Sequence, residues 1–104
     1  MICTMKELLA DADKHGRAVG GFNVANMESV MGAIRAAEEM DTPIILQIAE
    51  KRMGYSPVEY IAPMMVEAAR TAGVRVAVHL DHGKSREMIK RTLEYGFTSV
   101  MFDG

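Results

Sequence analysis

The fold is decided by the stretch of residues 74–104, which reads VRVAVHLDHGKSREMIKRTLEYGFTSVMFDG. Its first part, Val74 to Leu80, is a β-branched apolar run that predicts a strand, and Asp81-His82-Gly83 ends that strand. The segment from Ser85 to Gly96 predicts a helix, because a serine cap precedes it and a glycine closes it. Thr98 to Phe102 predicts another strand. Two strands joined by one helix in this way indicate a parallel β-α-β unit.

The same alternation extends back to the start of the sequence, at about 25 to 30 residues for each strand-helix unit. The earlier predicted elements are a helix from Thr4 to Ala12 stopped by Gly16, a strand from Ala18 to Val24, a helix capped by Asn26, a strand from Ile44 to Ile48, and a helix that begins at Ser56-Pro57-Val58-Glu59 with Ser56 as its cap. The order is therefore helix first, then four strands alternating with helices, which defines the α/β class.

Two α/β architectures fit this pattern, namely half of a (β/α)₈ TIM barrel and a small open sheet. A complete barrel needs roughly 250 residues, and the chain has 104. Open nucleotide-binding sheets usually place a glycine-rich phosphate loop after the first strand. The segment Gly20-Gly21-Phe22-Asn23 has neither that spacing nor a lysine, so it gives little support to a nucleotide site.

Composition excludes several classes of function. The formal net charge is −2 with a pI near 5.9, which gives no electrostatic basis for binding nucleic acid. No apolar run approaches the roughly 20 residues of a membrane span, and the first residues lack the pattern of a secretory signal. The single cysteine, Cys3, cannot form an internal disulfide. We therefore expect a cytoplasmic protein that has no membrane or nucleic-acid partner.

Function in parallel α/β proteins collects at the carboxyl ends of the strands. The polar side chains predicted at those ends are Asn23, Gln47, Asp81, His82, Ser99 and Asp103.

The densest group is Asp81-His82-Gly83. Neutral imidazole is a good zinc ligand, and a carboxylate can exchange a proton with a substrate hydroxyl. Because neighbours on a strand point to opposite faces, both side chains reach one site only if the chain turns there, and Gly83 would permit that turn. The alternative is a simple polar turn that caps the next helix. His79 lies within the strand and is expected to be a hydrogen-bonded core residue.

Four motifs in order carry a family resemblance. They are Gly21-Phe22-Asn23-Val24, Thr42-Pro43-Ile44-Ile45-Leu46-Gln47, Val78-His79-Leu80-Asp81-His82-Gly83 and Thr98-Ser99-Val100-Met101-Phe102-Asp103-Gly104. Together they resemble the N-terminal part of the class II, metal-dependent ketose-bisphosphate aldolases, which include fructose- and tagatose-bisphosphate aldolases. The resemblance implies that residues 1–104 are the N-terminal half of a TIM barrel, a single incomplete domain with a short preceding helix.

The resemblance also implies a chemistry. The family cleaves a ketose bisphosphate reversibly to dihydroxyacetone phosphate and an aldehyde, with zinc or another divalent cation as Lewis acid. Asp81 matches the catalytic acid/base and His82 matches a zinc ligand. Asn23 and Gln47 are the expected substrate-binding residues. Ser99 and Asp103 are the expected supporting residues near the metal.

Two features depart from the family pattern. Ala49 stands where many members have a serine that contacts substrate, which bears on the identity of the sugar. A catalytic zinc site takes three protein ligands, and the family's other zinc histidines come from later strands. His82 alone therefore supplies one part of the site.

Three hypotheses remain open at this stage. The first is a zinc-dependent aldolase of which this chain supplies the first half of the site. The second is an inert truncated half-barrel that acts only by self-association or by pairing with a partner, because two open sheet edges favour association. The third is another metal-dependent barrel enzyme, such as a hydrolase, which the lack of a His-x-His or His-Glu-x-x-His motif disfavours. We expect a homo-oligomer.

Overall fold

The computed structural model describes residues 1–103, so Gly104 at the end of the fourth motif lies outside the described residues. The chain forms α1 (Met5–Lys14), β1 (Gly21–Asn23), α2 (Met27–Glu39), β2 (Ile44–Ala49), a short 3₁₀ helix (Glu50–Gly54), α3 (Val58–Thr71), β3 (Val76–Gly83), α4 (Arg86–Tyr95) and β4 (Ser99–Phe102). This order confirms the predicted alternation of four strands with helices behind a leading helix.

The four strands form one parallel sheet in the order β1-β2-β3-β4. Each strand therefore lies beside the next strand in sequence, as strand–helix–strand crossovers of one hand produce. Within the described residues the sheet ends at β1 and β4. The carboxyl ends of all four strands meet at one edge, which we call the upper edge.

Side-chain caps set the beginnings of three helices where the sequence predicts them. The Thr4 hydroxyl accepts from the amide of Glu7 at 3.1 Å, and the Ser85 hydroxyl accepts from that of Met88 at 3.1 Å. Asn26 forms a reciprocal capping box with Ser29. Each cap satisfies an amide that the helix itself leaves unpaired.

The main core lies between the sheet and the helices α2, α3 and α4. Alternate residues of the central strands point into it, and several of them are fully buried. They meet the apolar stripe of α3, and each such buried aliphatic side chain contributes about 1.5–3 kcal/mol. The most deeply buried strand residues are Leu46, Ile48, Val76, Val78 and Leu80.

The opposite face of the sheet, which we call the inner face, is covered only at its lower end. There Leu8 of α1 packs with Cys3, Ile45 and Ala77 in a second, smaller core cluster. Leu8 is 1% exposed. Above this cluster the inner face carries polar side chains, because residues two apart on a strand share a face.

The strand boundaries correct two predictions. The first strand begins at Gly21 instead of Ala18, and the third runs from Val76 through Gly83 instead of ending at Leu80. The third strand continues because Gly83 pairs with Phe102 across an irregularity in the ladder. Asp81-His82-Gly83 thus stays in the sheet.

The predicted cap of α3 is also wrong. Pro57 occupies the cap position and makes no side-chain cap hydrogen bond. The Ser56 hydroxyl instead donates to the carbonyl of Ala25 at 2.5 Å, which ties the start of α3 to the loop after β1.

Candidate active site

A row of four polar side chains crosses the inner face of the sheet. The strand register pairs Asn23 with Gln47, Gln47 with His79, and His79 with Ser99. Adjacent strands lie about 4.8 Å apart, so each side chain in the row can reach the next. The parallel register thus gathers three of the predicted site residues, Asn23, Gln47 and Ser99, into one level of the sheet.

Gln47 fixes the orientation of Asn23. The Nε2 of Gln47 donates to the Oδ1 of Asn23 at 2.7 Å. Gly21 leaves room for this arrangement, because a Cβ there would lie 2.7 Å from the Oε1 of Gln47. The hydrogen bond engages the oxygen of the Asn23 amide and leaves its Nδ2 to donate elsewhere.

His79 and Ser99 form the other half of the row. The Nδ1 of His79 lies 2.8 Å from the Oγ of Ser99. Burial lowers the pKa of His79, and the nearby Asp81 carboxylate opposes that shift. His79 is hydrogen-bonded as expected, but it lies half-buried in the polar row of the inner face instead of in the core.

Asp81 and His82 lie one level above the row. Asp81 is registered with Ala49 of β2 and shares the inner face with His79. His82 has a φ of +48°, a left-handed conformation that few residues other than glycine adopt. This turn of the backbone brings the His82 Nε2 to 4.0 Å from the Oδ1 of Asp81. The predicted turn exists, but it occurs at His82 itself instead of Gly83.

Asp103 holds the other nitrogen of His82. Its Oδ2 lies 2.8 Å from the His82 Nδ1. The hydrogen bond from His82 lowers the pKa of Asp103, and the charge of Lys84 adds to that effect. An ionised carboxylate can only accept, so the Nδ1 is the donor in this hydrogen bond, and the Nε2 is the acceptor nitrogen of that tautomer.

Gly83 links the same residues through the backbone. Its carbonyl accepts from the amide of Asp103 at 2.8 Å. A Cβ at Gly83 would lie 2.8 Å from a methyl of Leu80 and 3.0 Å from the carbonyl oxygen of Met101. Glycine at this position therefore lets β3 and β4 approach closely enough for Asp103 to be held by both its backbone and its side chain.

The donor set of this site fits one part of a zinc centre. An imidazole with a carboxylate on one nitrogen is the usual arrangement of a zinc-bound histidine and its support. Among residues 1–103 no group of three or more His, Cys, Asp or Glu side chains is placed to hold a metal ion. Among residues 1–103, His82 thus has the chemistry of a single metal ligand, and further ligands would have to join it to hold a metal.

A cavity of about 310 Å³ opens beside the upper edge between β1 and β2. Asn23, Ala49 and Arg52 line it, together with the loop after β1. The guanidinium of Arg52 also stacks 5.6 Å from the ring of Tyr55. The cavity therefore combines the amide of Asn23 and the positive charge of Arg52 at the upper edge of the sheet.

Glu50 is a site residue that sequence reasoning missed. None of the four motifs contains it, but its carboxylate accepts hydrogen bonds from residues that directly follow the third strand. The available signal was its position immediately after β2, where a carboxylate can reach the start of a neighbouring helix.

Comparisons with known sequences and solved structures identify the family of this chain. The family model of class II fructose-bisphosphate aldolase matches residues 3–104. A fructose-bisphosphate aldolase of Thermus caldophilus is 46% identical over 103 residues, covering 99% of this chain and 33% of the relative. One of Giardia intestinalis is 36% identical over 103 residues, covering 98% of this chain and 32% of the relative. The chain thus spans about a third of the length of these curated relatives.

Among solved structures, the YdjI aldolase from Escherichia coli K12 matches with a TM-score of 0.94 and 36% identity. The match covers 100% of this chain and 41% of that structure. No helix within residues 1–103 has the length and apolar character needed to cross a membrane. The α/β fold with four parallel strands and a leading helix is confirmed, and the chain belongs to the class II fructose-bisphosphate aldolase family.

Proposed function

We propose that this chain supplies the first half of a zinc-dependent aldolase site that cleaves and forms a ketose bisphosphate, with dihydroxyacetone phosphate and an aldehyde as the cleavage products. Family membership supports the reaction class. The observation that carries the proposal is the placement of Asp81 and His82 on one face at the upper edge, with Asp103 fixing the His82 ring. The protein would act in the cytoplasm, where sugar phosphates are metabolised, with residues 1–104 as the N-terminal half of a barrel and a single incomplete domain.

Asp81 would exchange the proton. In cleavage its carboxylate would take the proton of the substrate hydroxyl next to the breaking bond, and the O–H electron pair would form the aldehyde carbonyl. The electron pair of the broken carbon–carbon bond would pass to the ketone fragment, which takes up a further proton to give dihydroxyacetone phosphate. The reverse transfer completes condensation. The side chain of Asp81 is 18% exposed, so it reaches solvent or substrate while resting on the sheet.

His82 would be the zinc ligand that this chain contributes. Asp103 keeps the Nδ1 protonated, which leaves the Nε2 to bind the metal. Zinc, when bound, polarises the ketone oxygen of the substrate. The remaining ligands would come from outside the described residues.

Asn23 and Arg52 would receive the phosphorylated substrate. Because Gln47 occupies the Asn23 Oδ1, the Asn23 Nδ2 is oriented to donate to a substrate oxygen. Gln47 then acts by positioning Asn23. The positive charge of Arg52 in the adjoining cavity suits a phosphate.

A coupled assay tests the proposal on the complete polypeptide that contains these residues. Triose phosphate should be released from a ketose bisphosphate, exhaustive chelation should abolish the release, and Zn²⁺ should restore it. The Asp81→Asn variant should bind metal normally but turn over poorly. Turnover that persists after complete metal removal would contradict the zinc mechanism.

A second proposal concerns residues 1–104 alone, as an inert half-barrel that associates with itself or with a partner. Exposed apolar side chains on both edge strands support it, because Phe22 of β1 is 49% exposed and Phe102 of β4 is 66% exposed. Unpaired parallel edges of this kind favour association. Sedimentation of the isolated segment should show an oligomer. A cooperatively folding monomer would reject this proposal.

A further inference from the structure

The Glu50 carboxylate joins the loop after β2 to the start of α4. Its Oε1 accepts from the backbone amides of Lys84 at 2.8 Å and Ser85 at 3.0 Å. Its Oε2 accepts from the Ser85 hydroxyl at 2.9 Å. Both carboxylate oxygens are thus engaged by two consecutive residues of the neighbouring connection.

Glu50 is ionised in this position. Burial raises the pKa of Glu50, but the three hydrogen bonds and the charge of Lys84 outweigh that effect and hold it below its ordinary value. The carboxylate also lies at the N-terminus of α4, where the helix dipole favours a negative charge. The contact is therefore charge-assisted and stronger than a neutral hydrogen bond.

The contact of Glu50 with Lys84 and Ser85 bears on the segment that directly precedes those two residues. Asp81, His82 and Gly83 lie between the regular part of β3 and the residues that Glu50 holds. In this segment the β3–β4 ladder is irregular, and His82 has a left-handed backbone. A left-handed residue outside a regular ladder persists only where its surroundings restrain it.

We propose that Glu50 is a positioning residue that holds the His82 imidazole and the Asp81 carboxylate in the arrangement described above. Glu50 contacts neither side chain directly. It fixes Lys84 and Ser85, so the Asp81–Gly83 segment is tethered at its carboxyl end as well as by β3. Ala49, the residue before Glu50, is registered with Asp81, so the tether starts at the same level of the sheet.

The test compares Glu50→Gln with Glu38→Gln in the complete polypeptide. Glu38 is a matched control, because its carboxylate also accepts from a backbone amide, that of Gly73 at 2.8 Å, but in the loop before β3 at the opposite edge. Both substitutions keep side-chain shape and remove one negative charge. Melting temperature, the ¹⁵N resonances of the His82 ring and the Zn²⁺ dissociation constant are measured for each.

Both variants should melt at lower temperature than the wild type. Only Glu50→Gln should shift the His82 ring resonances and raise the Zn²⁺ dissociation constant, by about tenfold, the lower end of the loss caused by removing a support of a metal ligand. Glu50→Asp, which retains the charge, should recover part of that loss and serves as the variant of choice if Glu50→Gln does not fold.

Identical His82 resonances and Zn²⁺ affinities in the Glu50 and Glu38 variants would overturn the positioning role. The inference rests on the proposed function only for the identity of the ligand. A wild-type protein that binds no Zn²⁺ would reject the metal in the proposed function, whereas the His82 resonances would still decide whether Glu50 positions the ring.

Discussion

The lower and upper ends of the inner face use charged groups in opposite ways. At the lower end, where the apolar cluster around Leu8 lies, one carboxylate oxygen of Asp11 in α1 accepts hydrogen bonds from Arg75 at 2.8 Å and from Arg17 at 2.6 Å. At the upper end His82 and Asp103 are paired, but the His82 Nε2 lies 4.0 Å from Asp81, beyond hydrogen-bond distance.

From this difference we expect the lower end of the sheet to contribute mainly to stability and the upper end mainly to function. The lower end pairs its charges with one another and covers its strands with α1, as expected where a barrel is closed. At the upper end Asn23 and His82 each engage one side-chain atom, and within residues 1–103 the Asn23 Nδ2 and the His82 Nε2 have no hydrogen-bond partner. Substitutions should therefore fall into two classes, according to the end they affect.

Of the substitutions at the two ends, Asp81→Asn should have the largest effect. It should lower catalytic activity far more than stability, as expected if the upper end serves function. An amide cannot accept the substrate proton, so we expect kcat of the complete polypeptide to fall about 10²- to 10⁴-fold. The urea midpoint should stay close to that of the wild type. A variant that loses activity only in proportion to its stability would show that Asp81 is a structural residue.

Leu8→Ala should have the largest effect at the lower end. Removing a side chain that is 1% exposed leaves a cavity under α1, and such changes cost about 2–5 kcal/mol of unfolding free energy. Urea unfolding measures that cost, and Leu9→Ala is the control, because Leu9 is 50% exposed on the same helix. Equal losses in the two variants would contradict the described packing of α1.

Asp103→Asn tests whether His82 at the upper end needs a charged partner to bind metal. The amide oxygen can still accept from the His82 Nδ1, but without the charge that favours a protonated Nδ1. We expect Zn²⁺ affinity to fall about 10- to 100-fold, as isothermal titration calorimetry would measure. An unchanged affinity would remove Asp103 from the support of the metal ligand.

The smallest effect should be a pH dependence from His79. Because its pKa is lower in the folded chain than its ordinary value of 6.5, the unfolded chain takes up the proton first as pH falls. The stabilising contribution is therefore complete above pH 6.5 and is lost as pH falls through the folded pKa. Urea unfolding at pH 7.5 and 5.5 should show a smaller difference for His79→Gln than for the wild type.

Most elements of the fold could be predicted from local sequence signals. Thr4, Asn26 and Ser85 cap helices where their types predict, and apolar runs predict β2 and β3. Ser56 is not the cap because α3 begins one residue later than predicted, with Pro57 at the cap position, and the Ser56 hydroxyl is oriented toward a distant partner, the Ala25 carbonyl. Propensity rules describe neighbours in sequence and cannot anticipate that partner.

The site was predictable by residue type but not by geometry. Asp81, His82 and Asp103 were identifiable from their motifs, whereas the left-handed backbone of His82 depends on pairing between β3 and β4. Glu50 was missed because its partners are 34 and 35 positions away. Contacts of this kind are set by strand register, which a motif does not contain.

The backbone of His82 also limits how this protein can be redesigned. At a φ of +48°, asparagine and aspartate are the other side chains that adopt the conformation most readily. Replacing the proposed metal-binding imidazole by a thiolate to favour a softer metal would add backbone strain to the change of ligand. A library that varies metal preference at this position should therefore vary the β3–β4 ladder together with residue 82.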